Sequence, residues 1–522
     1  MKKRRIIKSI FASMLAIIMV LSLTSIVSAA DPKATLTINN TVAGKTVDLY
    51  QVFSAIKNGT SVSYTLNTQY QPFFTSAANN KYGCFGKTET NLSDAAYKYV
   101  AKLSSNEKVE FVREILEWSV TKKIATSNTI NTTNTSTTVS NLDYGFYLVY
   151  LKGATDITTS INGVSEKSPA MLVDITEDSP IINMKSSYPT VDKKIDNKDY
   201  GEAAIGDEIT YTLTSYVPDM TGYSSYIFRF KDTLSQGLTF KEINSVTVGG
   251  NDLNMDTTDT TGYTQSIDTN ILTIEINNFI GYKQNVGDKI VVTYTATLNE
   301  KALVGINAND NSAVIEYSND PSDETKTDTS TPDIVPVYSF DILIHKFYIN
   351  SDGNQQSLAG AGFKLYSKTE CSENDELKLE KLAEADGNVV YQLNANKAAD
   401  SVEAMSPATG NIQIKGLDAN TTYYLKETTT PNKFNSLLGL IEFKIVPSYA
   451  SDGKTLDAYN IHYTYNSHSE NTTDNVLNVE NKTGEELPDT GGMGTVIFTV
   501  GGLAIIGIMV GFSVMSKKKK KM

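Results

Sequence analysis

Strand-length runs in which polar and apolar residues alternate, or in which β-branched residues dominate, recur along most of the chain; those at 209–215 and 289–298 are the clearest. A period of two sends successive side chains to opposite faces, so each run has one face to bury and one to wet. Sheets with such faces must pack on one another, which predicts a mainly β protein built of sandwiches. The composition agrees: Tyr (29 residues), Thr, Asn and Val abound, and Trp118 stands alone. Only Cys84 and Cys371 are available, far apart in the chain, so no disulfide framework is expected.

The two ends place these sandwiches outside the cell. Met1, Lys2, Lys3, Arg4 and Arg5 precede a mostly apolar run at 10–27, and Ser28, Ala29 and Ala30 follow it. A basic start, a short apolar core and a small-residue exit predict a signal peptide over 1–30, removed near Ala29 or Ala30. Near the other end Leu487-Pro488-Asp489-Thr490-Gly491 is followed by an apolar stretch, 496–515, long enough to cross a bilayer, and by a basic tail, 516–522, that stays on the cytoplasmic side. Removing five basic residues from each end, in segments without an acidic residue, takes the formal charge from −13 to about −23. Such a surface disfavours nucleic acid as a partner. His345, His462 and His468 are scattered without metal-ligand spacing, and no phosphate loop or Ser/His/Asp order appears, so no cofactor or metal is expected.

Three regions are expected between the ends. The first, 31–184, opens with strand-like segments, carries a helical insertion at about 93–123 and a Thr/Asn/Ser-rich loop at 127–140, and then has an apolar strand at 145–150. A linker at 180–189 leads to the second region, 185–325, which reads as strands with Gly-Asp turns at Gly206-Asp207 and Gly287-Asp288. A second linker at 319–336 leads to the third, 337–484. Weak self-similarity relates the regions: Leu142-Asp143 precedes Tyr147-Leu148 as Leu417-Asp418 precedes Tyr424-Leu425. The first copy has Val149 and Tyr150 where the second has Lys426 and Glu427.

The motif at 487–491, with a span and a lysine tail behind it, resembles the cell-wall sorting signal of Gram-positive sortase substrates. That resemblance implies that a sortase cysteine cleaves between Thr490 and Gly491, and that the catalytic residue belongs to another molecule. The turn Leu358-Ala359-Gly360-Ala361-Gly362-Phe363 and the segment Tyr423-Tyr424-Leu425-Lys426-Glu427, with Pro431, resemble CnaB-type domains, immunoglobulin-like sandwiches in which first and last strands are neighbours. Carrying that family's roles across implies an isopeptide bond between Lys346 and Asn481, assisted by Glu427. Pro189-Thr190-Val191-Asp192-Lys193-Lys194, Phe230-Lys231-Asp232-Thr233-Leu234 with Gly237-Leu238, and Asn311-Ser312-Ala313-Val314 resemble the middle domain of backbone pilins. There the resemblance implies a Lys193–Asn311 bond assisted by Asp232; Lys194 and Asn319 are the alternatives. The first region lacks the matching acid, and no bond is expected in it by this pattern.

The chemistry explains the residue types. A lysine is a nucleophile only as the neutral amine, and burial favours that form. Burial likewise favours a protonated acid, which can donate to the asparagine carbonyl and shuttle a proton. Contact between the groups makes the reaction intramolecular, with effective molarities of about 10⁵ M or more. Backbone pilins also carry a lysine between the first two domains that receives the next subunit. No Tyr-Pro-Lys triplet occurs here, but Lys185 occupies that place. The resemblance therefore implies a pilus shaft subunit whose partners are sortase, identical subunits, ancillary or tip pilins and peptidoglycan. A monomeric wall-anchored adhesin or an ancillary pilin binding host matrix is the other reading.

Overall fold

A computed structural model describes residues 33–484 apart from 77–80, 85, 156–168, 186, 257, 259–260, 383, 385–386, 466–467 and 473–474. The protein is mainly β and forms three successive pairs of sheets. In the first unit a small sheet has Lys33–Asn39 at its centre, flanked by Ser136–Asp143 and Ile181–Asn183. It packs on a larger sheet ordered Ser61–Leu66, Thr46–Asn58, Gly145–Leu151, Ala170–Ile175, with Asn128–Asn131 also on Thr46–Asn58. The run at 145–151 is apolar throughout because both its faces are covered. Tyr147, Val149 and Leu151 meet the small sheet, while Leu148 and Tyr150 meet the helices.

The helical insertion is two helices, Glu89–Lys102 and Ser105–Thr121. Ser104 ends the continuity: its N–H donates to Glu107 Oε2 at 2.8 Å, and the Glu107 N–H donates back to Ser104 Oγ at 3.5 Å, a reciprocal cap that starts a new helix. The expected loop at 127–140 is largely strand, because Thr137 and Val139 alternate inward against Lys33–Asn39. Both expected linkers need the same correction. Ile181–Asn183 pairs in parallel with Lys33–Asn39, and Thr327–Thr329 and Asp333–Tyr338 both pair with Asn309–Ser318. Asp, Thr and Pro in the second segment hid the inward pair Val335 and Val337, so the middle sheet runs on past 325 to Tyr338.

In the middle unit one sheet is ordered Asn251–Asp252, Leu238–Val248, Lys289–Leu298, Glu208–Tyr216, Asp192–Ile195. The facing sheet is ordered Gly201–Glu202, Asp333–Tyr338, Asn309–Ser318, Phe228–Leu234, Ile271–Ile276, Tyr263–Asp268. Both Gly-Asp turns form, with φ of 91° at Gly206 and 87° at Gly287, where a side chain would be strained. The third unit sets Gln355–Ser357, Phe340–Ile349, Asn411–Leu417, Val389–Leu393 and Leu379–Lys381 against a sheet centred on Thr422–Thr429 and Ile441–Tyr449. Its last strand, Val476–Glu480, lies parallel to its first, Phe340–Ile349. The middle and third units share one continuous buried core. The first unit meets the middle one through ion pairs as well, Arg113–Asp219 at 3.2 Å, Lys152–Asp320 at 3.0 Å and Lys283–Glu117 at 2.8 Å. Among the described residues no helix is long and apolar enough to cross a membrane. Residues 1–30, 487–491 and 496–522 lie outside the described residues.

Candidate functional site

Strand alternation carries Lys193 into the middle core. On Asp192–Ile195 the inward positions are Lys193 and Ile195, and Lys193 is wholly buried. Asp232 and Asn311 sit on two neighbouring strands of the opposite sheet, also wholly buried. Lys193 Nζ donates to both Asp232 oxygens, at 2.6 and 2.5 Å, and to the Tyr294 hydroxyl at 3.1 Å. Tyr294 donates to Asp232 Oδ2 at 2.8 Å and accepts from Asn311 Nδ2 at 2.6 Å, so one hydroxyl touches all three groups. Among the described residues, Asn311 Oδ1 is buried with no partner in hydrogen-bond geometry. The ammonium also lies 4.7 Å from the centre of the Tyr211 ring, which stacks on Tyr294. Burial outweighs the adjacent Asp232 and pulls Lys193 down to about 8. Lys194 faces outward onto Asp192 and Asp199, and Asn319 lies against Gly153 of the first unit. The geometry thus brings together Lys193, Asp232 and Asn311 and neither alternative.

In the third unit Lys346 and Asn481 are wholly buried, and the Glu427 side chain is 1% exposed. Lys346 is level with Val479 on the adjacent parallel strand, two residues before the asparagine. Its Nζ donates to Asn481 Oδ1 and, at 3.1 Å, to Val479 O. Asn481 Nδ2 donates to Glu427 Oε1 at 2.9 Å and to Asn435 O at 3.0 Å, while Glu427 Oε1 stands 4.0 Å from Lys346 Nζ. The amide therefore lies between amine and acid. The Leu437 N–H (2.9 Å) and the Thr430 hydroxyl (3.2 Å) both donate to Glu427 Oε2 and fix the carboxyl group. Burial draws Lys346 down to about 8 against the pull of Glu427 and Glu480. Tyr294, Tyr211, Asn435 and Asp333, whose carboxylate accepts from the Lys193 N–H at 2.7 Å, went unremarked in the sequence; the signal for Tyr211 and Tyr294 was their place at inward positions of the two alternating runs.

Lys185 is exposed on the short strap between the first and middle units. Val149 and Tyr150, which stand where the third unit has Lys426 and Glu427, are buried. Among the described residues no group of three or more His, Cys, Asp or Glu is placed to hold a metal ion.

Two family models match the chain: residues 479–521 match the LPXTG cell wall anchor motif, and residues 345–458 match a prealbumin-like fold domain. The chain is an LPXTG-anchored surface protein. This anchored protein is 28% identical over 271 residues to the trypsin-resistant surface T6 protein of Streptococcus pyogenes serotype M6. That match spans 47% of the anchored chain and 45% of the relative, so the chain covers about half the length of the curated relative it matches. Among solved structures it is similar to the T6 backbone pilin of S. pyogenes serotype M6, with a TM-score of 0.48 and 18% identity over 88% of this chain and 100% of that one. It is also similar to the full-length major pilin SpaD of Corynebacterium diphtheriae, with a TM-score of 0.44 and 16% identity over 88% and 99% of the two chains.

Proposed function

We propose that this anchored protein is the backbone subunit of a covalent surface pilus. A sortase cysteine attacks the Thr490 carbonyl, the Thr490–Gly491 bond breaks with the Gly491 amine leaving, and a thioacyl enzyme holds the subunit. The neutral Lys185 amine of another subunit attacks that carbon; an amide forms, the carbon–sulfur bond breaks and the thiol returns to the enzyme. Repetition builds a fibre head to tail, and the last subunit passes to the amine of a peptidoglycan precursor. Ancillary or tip pilins join the same shaft. The observation that carries the reading is an exposed lysine on a strap pinned between two units, in a chain ending in a sorting signal.

Two crosslinks stiffen the subunit, Lys193–Asn311 and Lys346–Asn481. In each the lysine passes a proton to Asp232 or Glu427, and the neutral amine attacks the asparagine Cγ. The acid then gives a proton to the departing nitrogen and takes one from the attacking nitrogen, the Cγ–Nδ2 bond breaks, and ammonia leaves an amide behind. The dry pockets support this, because neutral partners are favoured over a buried ion pair. The units that carry these bonds are 185–338, longer than the sequence-derived 185–325, and 339–484, shorter by two residues than the sequence-derived 337–484; the first unit, 31–184, carries none by this pattern.

The test is a wall extract probed for the protein. Wild-type cells should show a ladder of very large, SDS-resistant species, and Lys185→Ala cells only monomer. The missing Tyr-Pro-Lys triplet favours a second reading, a monomeric wall-anchored adhesin; a single monomeric band from wild-type cells would establish it.

A further inference from the structure

The strap that carries Lys185 is held on both flanks. Before it, the Met184 N–H donates to Asn39 O at 3.1 Å and Asn40 Nδ2 donates to Met184 O at 2.9 Å. After it, Ser187 and Thr155 exchange both backbone hydrogen bonds, at 2.6 and 3.0 Å. Thr155 Oγ1 in turn accepts from the Asp219 N–H of the middle unit at 2.6 Å. The next residue, Tyr188, packs against the cores of both the first and the middle units. Over its ring, 4.8 Å from the centre, sits the ammonium of Lys45. Lys45 belongs to the first unit, at the turn before Thr46–Asn58, and its side chain is only 11% exposed. Its Nζ donates to the Tyr317 hydroxyl of the middle unit at 3.0 Å and pairs with Asp328. Its backbone is fixed too, donating to Thr132 Oγ1 at 3.0 Å and accepting from the Thr132 N–H at 2.8 Å.

We infer that Lys45 is a positioning residue for the Lys185 acceptor, locking the strap at Tyr188 so that the Lys185 amine is presented at a fixed place on the unit junction. This rests on the acceptor role proposed for Lys185. The physical argument is one of near-attack geometry. The thioester carbon is held by a large enzyme and cannot search for its nucleophile, and displacement by about 1 Å can cost a factor of about a hundred. Only two residues separate Lys185 from Tyr188, so freedom at the ring becomes freedom at the amine. Lys45 is suited to the task because one group satisfies three partners: a ring face, a phenol and a carboxylate.

The full chain is expressed with its sortase as wild type, Lys185→Ala, Lys45→Met, Lys45→Arg and Tyr188→Leu. Lys45→Met and Tyr188→Leu should lower the polymer fraction about tenfold, within the range for a displaced nucleophile, while wall-anchored monomer accumulates because Thr490 is still processed. Lys45→Arg should keep the ladder, since a guanidinium also lies over a ring and pairs with a carboxylate. A small amine-reactive ester should label Lys185 in Lys45→Met at least as fast as in wild type, showing an amine that is available but misplaced. Wild-type ladders from Lys45→Met overturn the inference, and so does a loss of ladder matched by a loss of labelling. If Lys45→Met fails to fold, Tyr188→Leu decides by the same two readouts. A wild-type ladder from Lys185→Ala sinks the acceptor reading itself, which is a different outcome from an intact ladder in Lys45→Met alone.

Discussion

The middle and third units place the same three residue types in different relations to their sheets. In the middle unit the lysine belongs to one sheet and both the acid and the asparagine to the other. In the third, the lysine is on the first strand and the asparagine directly follows the adjacent parallel strand of the same sheet, and the acid comes from the facing sheet. A bond in the middle unit would therefore join two sheets, while a bond in the third would join the first strand to the last. The internal order differs as well. Asp232 grips Lys193 directly with Tyr294 as go-between, whereas in the third unit the Asn481 amide lies between Lys346 and Glu427. The lesson is that burial of a lysine beside an acid is what the two sites share; the path from amine to amide is not.

The largest expected effect separates the two acids. Asp232→Ala removes the middle crosslink and leaves Lys193 buried without its ionic partner. Closing a loop of more than a hundred residues is worth about 4–5 kcal/mol, and leaving a buried amine without its carboxylate partner costs about 1–3 kcal/mol more. Together these rival the whole stability of a typical domain, about 5–15 kcal/mol. Glu427→Ala should cost only the loop term, because Lys346 keeps Val479 O and Asn481 Oδ1 as partners. Both variants should gain the mass of one ammonia per lost bond, and calorimetry should show the Asp232→Ala transition falling further. An equal fall would break the distinction between the sites.

Pulling sharpens the comparison next. Lys346 and Asn481 are 135 positions apart, so their bond takes tension past nearly the whole third unit. Single-molecule stretching of Asn481→Ala should release about 450 Å of extra contour at about 3.4 Å per residue, absent from wild type. If wild type released the same length, the third-unit bond would not exist.

Lys193, Asp232, Asn311, Lys346, Glu427 and Asn481 could be singled out because their segments resemble backbone-pilin and CnaB-type domains, and the structure gathers them into two clusters. What escaped the sequence depended on partners far away in the chain. The strands at Asp333–Tyr338 and Ser136–Asp143 look like polar linker and loop until a neighbour covers Val335, Val337 and Val139. Ser104 breaks the insertion into two helices through a cap with Glu107, a local signal hidden by continuous apolar spacing. Lys45 gave no sign at all, since its partners Tyr188, Tyr317 and Asp328 come from a different unit or the strap.

A smaller effect is the dependence on pH. Both lysines are pulled to about 8 by burial, below the ordinary value of about 10.4. In a chain that cannot crosslink, the unfolded state binds more protons between those values, so stability rises with pH from about 8 to about 10. Asn311→Ala and Asn481→Ala should each show that rise, and wild type should not, because the proposed bonds would turn its amines into amides. The rate of ammonia loss from newly made wild-type chain should change little with pH just below about 8, because passing the lysine proton to the acid leaves the proton count of the pair unchanged. A fall of about tenfold per pH unit in this range would remove that internal transfer from the mechanism.

The smallest effect tests what the middle unit has and the third lacks. Tyr294→Phe keeps the ring that stacks on Tyr211 and removes only the hydroxyl that touches Lys193, Asp232 and Asn311. Losing hydrogen bonds of this kind costs about 1 kcal/mol each in stability, which the finished crosslink should mask. The rate should respond more clearly, because the hydroxyl lines up the acid with the amide it must serve; a lost proton relay costs at most about 10²–10⁴-fold, and a group that aligns rather than relays should cost nearer tenfold. Intact mass followed in time should therefore show the middle ammonia leaving late in Tyr294→Phe while the third leaves on schedule. If both left together and at the wild-type rate, Tyr294 would be packing alone, and the two sites would run by the same lysine–acid contact despite their different order.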